Sequence, residues 1–103
     1  MRVTVTQQDI DAANEWLLSR RRGEPYEGSY SANCPISQAF WRAGIEAHTG
    51  VLYTALWIEG REVIYNLPSE ASQFVKAWDA RNVDGSTDPD PISFDIKPSH
   101  DFE

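Results

Sequence analysis

The sequence predicts an α+β fold, with one layer of about four mostly antiparallel strands packed with three helices in the order β-α-α-β-β-α-β. Apolar residues recur at helical spacing in three segments, and they alternate or cluster in β-branched and aromatic runs in four others. A hydrophobic content of 41%, with 12% aromatic residues, supplies enough apolar material for one core. We therefore expect a single domain over residues 1–103, with a flexible tail at 98–103.

The N-terminal segment predicts a strand followed by a helix. Valines and threonines alternate at residues 3–6, and Thr6 with Asp9 forms a pattern close to a capping box. A basic run at 20–22, followed by Gly23, ends the helix, since cations favour its carbonyl end. The apolar positions at helical spacing are Ile10, Ala13 and Leu17.

A long loop and a second helix come next. Residues 23–33 are rich in glycine, serine and tyrosine, and loops of this length are often functional or mobile. Asn33 or Cys34 caps the following helix, with Pro35 at its first position, and Gly44 stops it. The apolar stripe of this helix consists of Ile36, Ala39, Phe40 and Ala43.

The second half predicts a hairpin, a third helix and a last strand. Residues 51–58 are apolar on both faces, which predicts a central strand covered on more than one side. A tight turn leads to the returning strand at 63–65, and Pro68 then starts a helix. After a polar linker at 82–91, residues 92–96 alternate as a strand. The apolar stripe of the third helix is Ala71, Phe74, Val75 and Trp78. The pattern leaves open whether the terminal strands pair with each other or flank the hairpin.

Several of these segments, taken in order, resemble small uncharacterised proteins encoded by phages and prophages. The blocks are residues 3–10 (VTVTQQDI), 33–39 (NCPISQA), 65–71 (YNLPSEA) with Phe74 and 78–80 (WDA), and 92–94 (ISF). The resemblance covers most of the chain except the loop at 23–32. It implies a phage or mobile-element setting and this order of elements, and it carries no activity with it. Because phages encode compact acidic proteins that block host defence, anti-CRISPR proteins among them, the resemblance associates the chain with such inhibitors.

The formal net charge of −7 argues against nucleic-acid binding. Nine basic side chains stand against sixteen acidic ones, and the acidic excess lies after residue 50. Phosphate contacts need clustered cations, whereas an acidic surface steers towards basic partners. The acids from Asp84 through Asp88 to Asp90 either provide solubility or imitate phosphate charge in a basic nucleic-acid-binding groove.

Cys34 is the one candidate nucleophile, because a helix start can stabilise a thiolate. Catalysis also needs a base, and His48 and His100 are the only histidines, neither within a Cys–His signature. The alternative is a small buried or capping residue. One cysteine and two scattered histidines give no paired zinc-ligand spacing. We therefore expect no catalytic, cofactor or metal site, with a Cys34-dependent enzyme as an alternative.

Exposed aromatic residues are the predicted partner contacts. Tyr26 and Tyr30 lie in the glycine- and serine-rich loop, and Trp41 lies beside the stripe of its helix. The two tyrosines either contact a partner or fold back onto the core. The basic run at 20–22 is either an acidic-partner patch or a helix-end feature. The predicted partner-binding residues are Tyr26, Tyr30, Trp41, Asp84, Asp88 and Asp90.

These observations predict a cytoplasmic protein-binding module. No apolar run approaches the length of a membrane span, and the lone cysteine fits a reducing compartment. We expect the partner to be a basic surface of a nucleic-acid-handling complex in the host cell, with no direct nucleic-acid or membrane binding. The alternative is a self-associating structural protein such as a homodimer.

Overall fold

The structure, a computed structural model, describes residues 1–23, 28–84 and 87–98, apart from the side chains of residues 82–84. Within these residues the fold is α+β, as predicted, with four helices and six strands in two antiparallel sheets. In chain order the elements are β1 (Arg2–Val5), α1 (Gln7–Arg21), α2 (Tyr30–Asn33), α3 (Pro35–Arg42), β2 (Glu46–Thr49), β3 (Tyr53–Ile58), β4 (Arg61–Asn66), α4 (Ser69–Asp84), β5 (Ile92–Asp95) and β6 (Lys97–Pro98).

The strands form two sheets where the sequence predicts one layer. One sheet pairs β1 with β5, and the other has the strand order β2-β3-β4-β6. The last apolar run is split at the buried Ile96, because its first part joins the N-terminal strand and its end joins the hairpin. Pro98, predicted as the start of the tail, instead lies opposite Tyr65 in the sheet, and residues 99–103 are outside the described residues.

Three further features differ from the sequence prediction. The segment predicted as one long loop contains the short helix α2, which begins where the Ser29 hydroxyl accepts a hydrogen bond from the Ala32 amide at 3.4 Å. The strand β2 was not predicted, since its sequence EAHT has little β-branched or aromatic content. Helix α4 continues to Asp84, through the start of the predicted linker.

Strand β3 is covered on one face only, so the prediction of coverage on more than one side is wrong. Thr54 and Leu56 are fully buried, whereas Tyr53 and Trp57 on the alternate face are 49% and 44% exposed. Ala55, between these two aromatic residues, is small enough to be buried by its neighbours. The strand looked apolar on both faces because aromatic residues count as apolar whether or not another layer covers them.

The core confirms the predicted helical stripes with one exception. Ala43, predicted as part of the stripe of α3, is exposed at the end of that helix. The buried core residues from the predicted stripes are Ile10, Ala13, Leu17, Ile36, Ala39, Phe40, Ala71, Phe74, Val75 and Trp78. They form one cluster with buried residues of both sheets, among them Val5, Leu56 and Phe94. The two sheets and the helices therefore share a core.

The predicted helix start at Thr6 is confirmed as a capping box. The Thr6 hydroxyl accepts a hydrogen bond from the Asp9 amide at 3.3 Å, and an Asp9 carboxylate oxygen accepts one from the Thr6 amide at 2.8 Å. Arg42 of α3 donates to both oxygens of the same carboxylate, from Nε and Nη2, each at 3.0 Å. This arrangement fastens α1 to α3 through a carboxylate that is itself buried.

Candidate functional site

The predicted contact residue Tyr30 is exposed and is also packed against α1. Its ring meets that of Trp16 edge to face, with centroids 5.4 Å apart, and the guanidinium carbon of Arg20 lies 4.4 Å from its centroid. The basic run at the end of α1 therefore contributes to local packing through Arg20. The other predicted tyrosine, Tyr26, lies outside the described residues.

Trp41, also predicted as a contact, is 49% exposed and lies beside α2. Its indole Nε1 donates to the carbonyl oxygen of Ala32 at 3.2 Å. The ring borders a shallow groove with Asn33 and Gln38. The structure thus brings two predicted contacts to one short helix, since Tyr30 begins α2 and Trp41 is bonded to it.

The predicted acidic contacts differ in their surroundings. Asp88 accepts a hydrogen bond from the Asn14 amide group at 3.0 Å and pairs with Arg81, so it connects the segment before β5 to α1 and α4. The guanidinium of Arg81 also lies over the ring of Trp78, 4.3 Å from its centroid. Asp90 is exposed, and the side chain of Asp84 lies outside the described part. The Asp88 side chain therefore stabilises the contact of this segment with α1 and α4.

Cys34 precedes α3 as its N-cap residue but lies in the core. Its thiol donates to the Ser37 hydroxyl across 3.7 Å. Burial raises the pKa of the Cys34 thiol, although hydrogen bonds from Ser37 act in the opposite direction. His48, the histidine considered as its base, is half-exposed and lies on the outer face of β2, opposite to the core-facing Thr49. The environment of Cys34 thus disfavours the thiolate.

A chain of buried hydroxyl groups surrounds this cysteine and joins four elements. The Ser37 hydroxyl donates to the Ser31 carbonyl oxygen at 2.6 Å, and it lies 2.9 Å from the Thr49 hydroxyl. Because the single hydrogen of Ser37 is used there, Thr49 donates to Ser37, and Thr54 donates to Thr49 across 3.0 Å. The chain fixes α2 and α3 against β2 and β3 of the larger sheet.

The outer face of the larger sheet carries aromatic residues that the sequence analysis did not select. Strand register places three cross-strand rows on it. The rows are Glu46–Trp57–Glu62, His48–Ala55–Ile64 and Tyr53–Asn66–Lys97. Residues 53–57 show no alternation of polar and apolar side chains, and Thr54, Ala55 and Leu56 are all buried. The pattern of apolar residues therefore gave no signal for this surface.

A groove of about 490 Å³ lies on this face. Tyr53 borders it at one end and Glu62 at the other, and Ala55 with Ile64 forms an apolar floor between them. Ser31 of α2 also lines the groove. Helix α2 therefore lies beside both the sheet-face groove and the groove at Trp41. We call the three cross-strand rows, with this groove, the open sheet face.

Negative charge on the open sheet face is concentrated at one end. Glu46 and Glu62 flank Trp57, and the Glu46 carboxylate lies 3.6 Å from His48 Nε2, an ion pair when the imidazole is protonated. Lys97 lies diagonally across the face, opposite Asn66 and about 13 Å further along the strands. An approaching ligand thus meets carboxylates and an indole ring at one end of the face.

The described residues hold neither a metal cluster nor a helical membrane span. In the described part of the chain, no group of three histidine, cysteine, aspartate or glutamate side chains is placed to hold a metal ion. No described helix combines the length and apolar character needed to cross a membrane. Comparisons with protein-family models, curated proteins and solved structures gave no match for this chain.

Proposed function

We propose that this chain is a small protein-binding module whose recognition surface is the open sheet face. The observation that carries the proposal is the exposure of Tyr53 and Trp57 on one strand, 49% and 44%, beside a groove that Tyr53 lines. Exposed large aromatic side chains surrounded by polar residues are the usual energetic anchors of protein interfaces. The hydroxyl chain beneath the face holds its strands in place, so the anchors are presented by rigid elements.

The partner that we propose is a basic surface of a nucleic-acid-handling complex. The net charge of −7 favours encounter with a positive surface, and Glu46 and Glu62 place two of those charges beside an aromatic anchor. In the phage or prophage setting that the sequence resemblance implies, occupying such a surface would block a host defence complex in the cytoplasm, in the manner of an anti-CRISPR protein. The secondary contacts are Tyr30 and Trp41 beside α2.

Binding is better supported than chemistry at Cys34. A buried thiol with a raised pKa is a poor nucleophile, because the reactive form is the thiolate. His48 faces away from the core and interacts with Glu46. The Cys34 side chain instead takes part in the hydroxyl chain that supports the proposed recognition surface.

The proposal is tested by quantitative affinity capture from host lysate with three proteins: wild type, Trp57→Ser and Trp41→Ser. We expect at least one partner whose recovery falls about tenfold or more with Trp57→Ser, since removal of an interface anchor costs about 2 kcal/mol or more. Trp41→Ser is the comparison variant. Trp41 has a similar exposure but is proposed only as a secondary contact, so its loss should reduce recovery less.

The same capture is repeated while the salt concentration is raised from about 0.1 to 0.5 M, which should release a partner that is held by charge. Recovery that is unaffected by Trp57→Ser contradicts the proposed recognition surface. Recovery that depends on Trp57 but is insensitive to salt contradicts the proposed basic partner and still supports the proposed recognition surface.

A further inference from the structure

The end row of the open sheet face combines an exposed indole with two carboxylates. Glu46 of β2 and Glu62 of β4 lie directly opposite Trp57 of β3, one on each side. Directly opposite residues of antiparallel strands have Cβ atoms about 5 Å apart. Both glutamates are exposed, and the indole is 44% exposed. The ring is thus open to a ligand that can also reach a carboxylate on either side.

The chemistry of this row matches an arginine side chain. A guanidinium stacks on the face of an indole, where the ring quadrupole attracts a cation. Its planar array of N–H donors can also reach carboxylate oxygens on both sides of the ring at once. The methylene groups of the same side chain match the apolar floor of the adjoining groove, Ala55 and Ile64.

The chain's own stacked arginines lie on other tryptophans. Arg20 lies 5.7 Å from the ring centroid of Trp16, and Arg81 lies 4.3 Å from that of Trp78. Among the described residues, no guanidinium stacks on Trp57; strand register places two carboxylates beside it instead. Within the described residues, this ring is therefore available to a cation from another molecule.

We propose that the Glu46–Trp57–Glu62 row binds one arginine side chain of the partner protein. The guanidinium stacks on the indole and donates to both carboxylates, and the chain segment that carries the arginine lies along the groove towards Tyr53. This inference rests on the proposed function, and it specifies the partner side chain that the recognition surface binds.

The test is an NMR titration of the isotope-labelled chain with a blocked glycine–arginine–glycine tripeptide. The matched probe replaces arginine with citrulline, which has the same shape and no charge. We expect the arginine peptide to shift the indole N–H signal of Trp57 and the backbone amide signals of Glu46 and Glu62. The citrulline peptide should bind about tenfold more weakly or not at all, since it lacks the charge that both contacts require.

Two double variants distinguish binding at this row from a general attraction to the chain's negative charge. Exchange of both glutamates, Glu46→Gln with Glu62→Gln, should abolish the shift at Trp57 in a chain whose other signals remain in place. Exchange of two exposed acids elsewhere, Asp11→Asn with Glu70→Gln, removes the same net charge and should leave the shift.

Equal shifts with the citrulline peptide, or equal losses in both double variants, would overturn the arginine site. So would shifts that appear at Trp41 and are absent at Trp57. These outcomes leave the proposed function standing, because the capture comparison with Trp57→Ser does not depend on which partner side chain is bound. Conversely, partner recovery that is independent of Trp57 contradicts both the proposed recognition surface and the arginine site.

Discussion

At the scale of single residues, Asp9 has the most consequential environment among the described carboxylates. It is 2% exposed, completes the capping box of α1 and accepts two hydrogen bonds from Arg42. Burial alone raises the pKa of Asp9, but the hydrogen bonds from Arg42 and Thr6 outweigh it and hold the pKa below its usual value. The ionised carboxylate therefore stabilises the folded state.

The first prediction concerns Asp9→Asn, which should lower the free energy of unfolding at neutral pH by about 1 to 2 kcal/mol, the range for loss of a helix cap. A group with a lowered folded-state pKa contributes stability above its unfolded pKa, about 3.9. That contribution is lost as pH falls through the folded pKa. The difference between wild type and variant should therefore shrink below about pH 4, as measured by urea unfolding across pH.

Asp11→Asn is the control for this prediction, because Asp11 is exposed on the same helix and its carboxylate accepts a hydrogen bond from the exposed Gln7 side chain at 3.0 Å. It should change stability by less than about 0.5 kcal/mol. An Asp9→Asn variant as stable as wild type at neutral pH would show that the buried carboxylate does not contribute as described.

At the scale of elements, the turn between β3 and β4 determines the register of the open sheet face. Glu59 and Gly60 both have positive φ, 51° and 76°, the combination found in two-residue hairpins whose twist matches the strands. Strand register then places Glu62 opposite Trp57 and Ile64 opposite Ala55. A slip of one residue would move the aromatic residues to the core face.

The second prediction follows from this turn. Gly60→Ala should destabilise the chain by about 1 kcal/mol, because a Cβ is unfavourable at this φ although no other atom lies within 4 Å. Gly50→Ala is the matched control, since Gly50 has no positive φ and an added Cβ would lie 3.8 Å from the Tyr53 carbonyl oxygen, an ordinary contact. It should be neutral or stabilising by up to about 1 kcal/mol. Thermal unfolding of both variants distinguishes local backbone strain from loss of glycine in general.

At the scale of the whole molecule, the net negative charge favours binding of a basic partner over self-association. An exposed aromatic sheet face is also a surface on which two copies can pair. Two copies that pair through this face each carry a formal charge of −7 and therefore repel each other. This repulsion favours a different, basic partner. Among the described residues, the face also has no basic patch large enough to offset Glu46 and Glu62.

The third prediction is therefore that the isolated chain sediments as a monomer of 11.7 kDa over a roughly hundredfold concentration range at physiological salt. A dimer that Trp57→Ser dissociates, and that Trp41→Ser leaves intact, would favour the alternative of a self-associating protein. Sedimentation velocity of the three chains gives the result directly.

The sequence predicted the α+β class, the capping box at Thr6, the hairpin and the helical stripes. These features depend on local periodicity and on hydrogen bonds between residues close in the chain, as between Thr6 and Asp9. The sequence also placed Tyr30 in a glycine- and serine-rich loop and Trp41 beside an apolar stripe, and both side chains are exposed. It located Cys34 as a helix-start residue, and its burial agrees with the alternative of a small buried residue.

Tertiary structure alone decided the features that depend on contacts between distant segments. These are the division into two sheets, the ion pair that joins Asp9 to Arg42, and the single covered face of β3. The candidate site belongs to this group, because Glu46, Trp57 and Glu62 become neighbours only through strand register. Composition determined that the protein is acidic and aromatic. Only the packing of one sheet face against the helices determined which aromatic residues and which carboxylates remain exposed together.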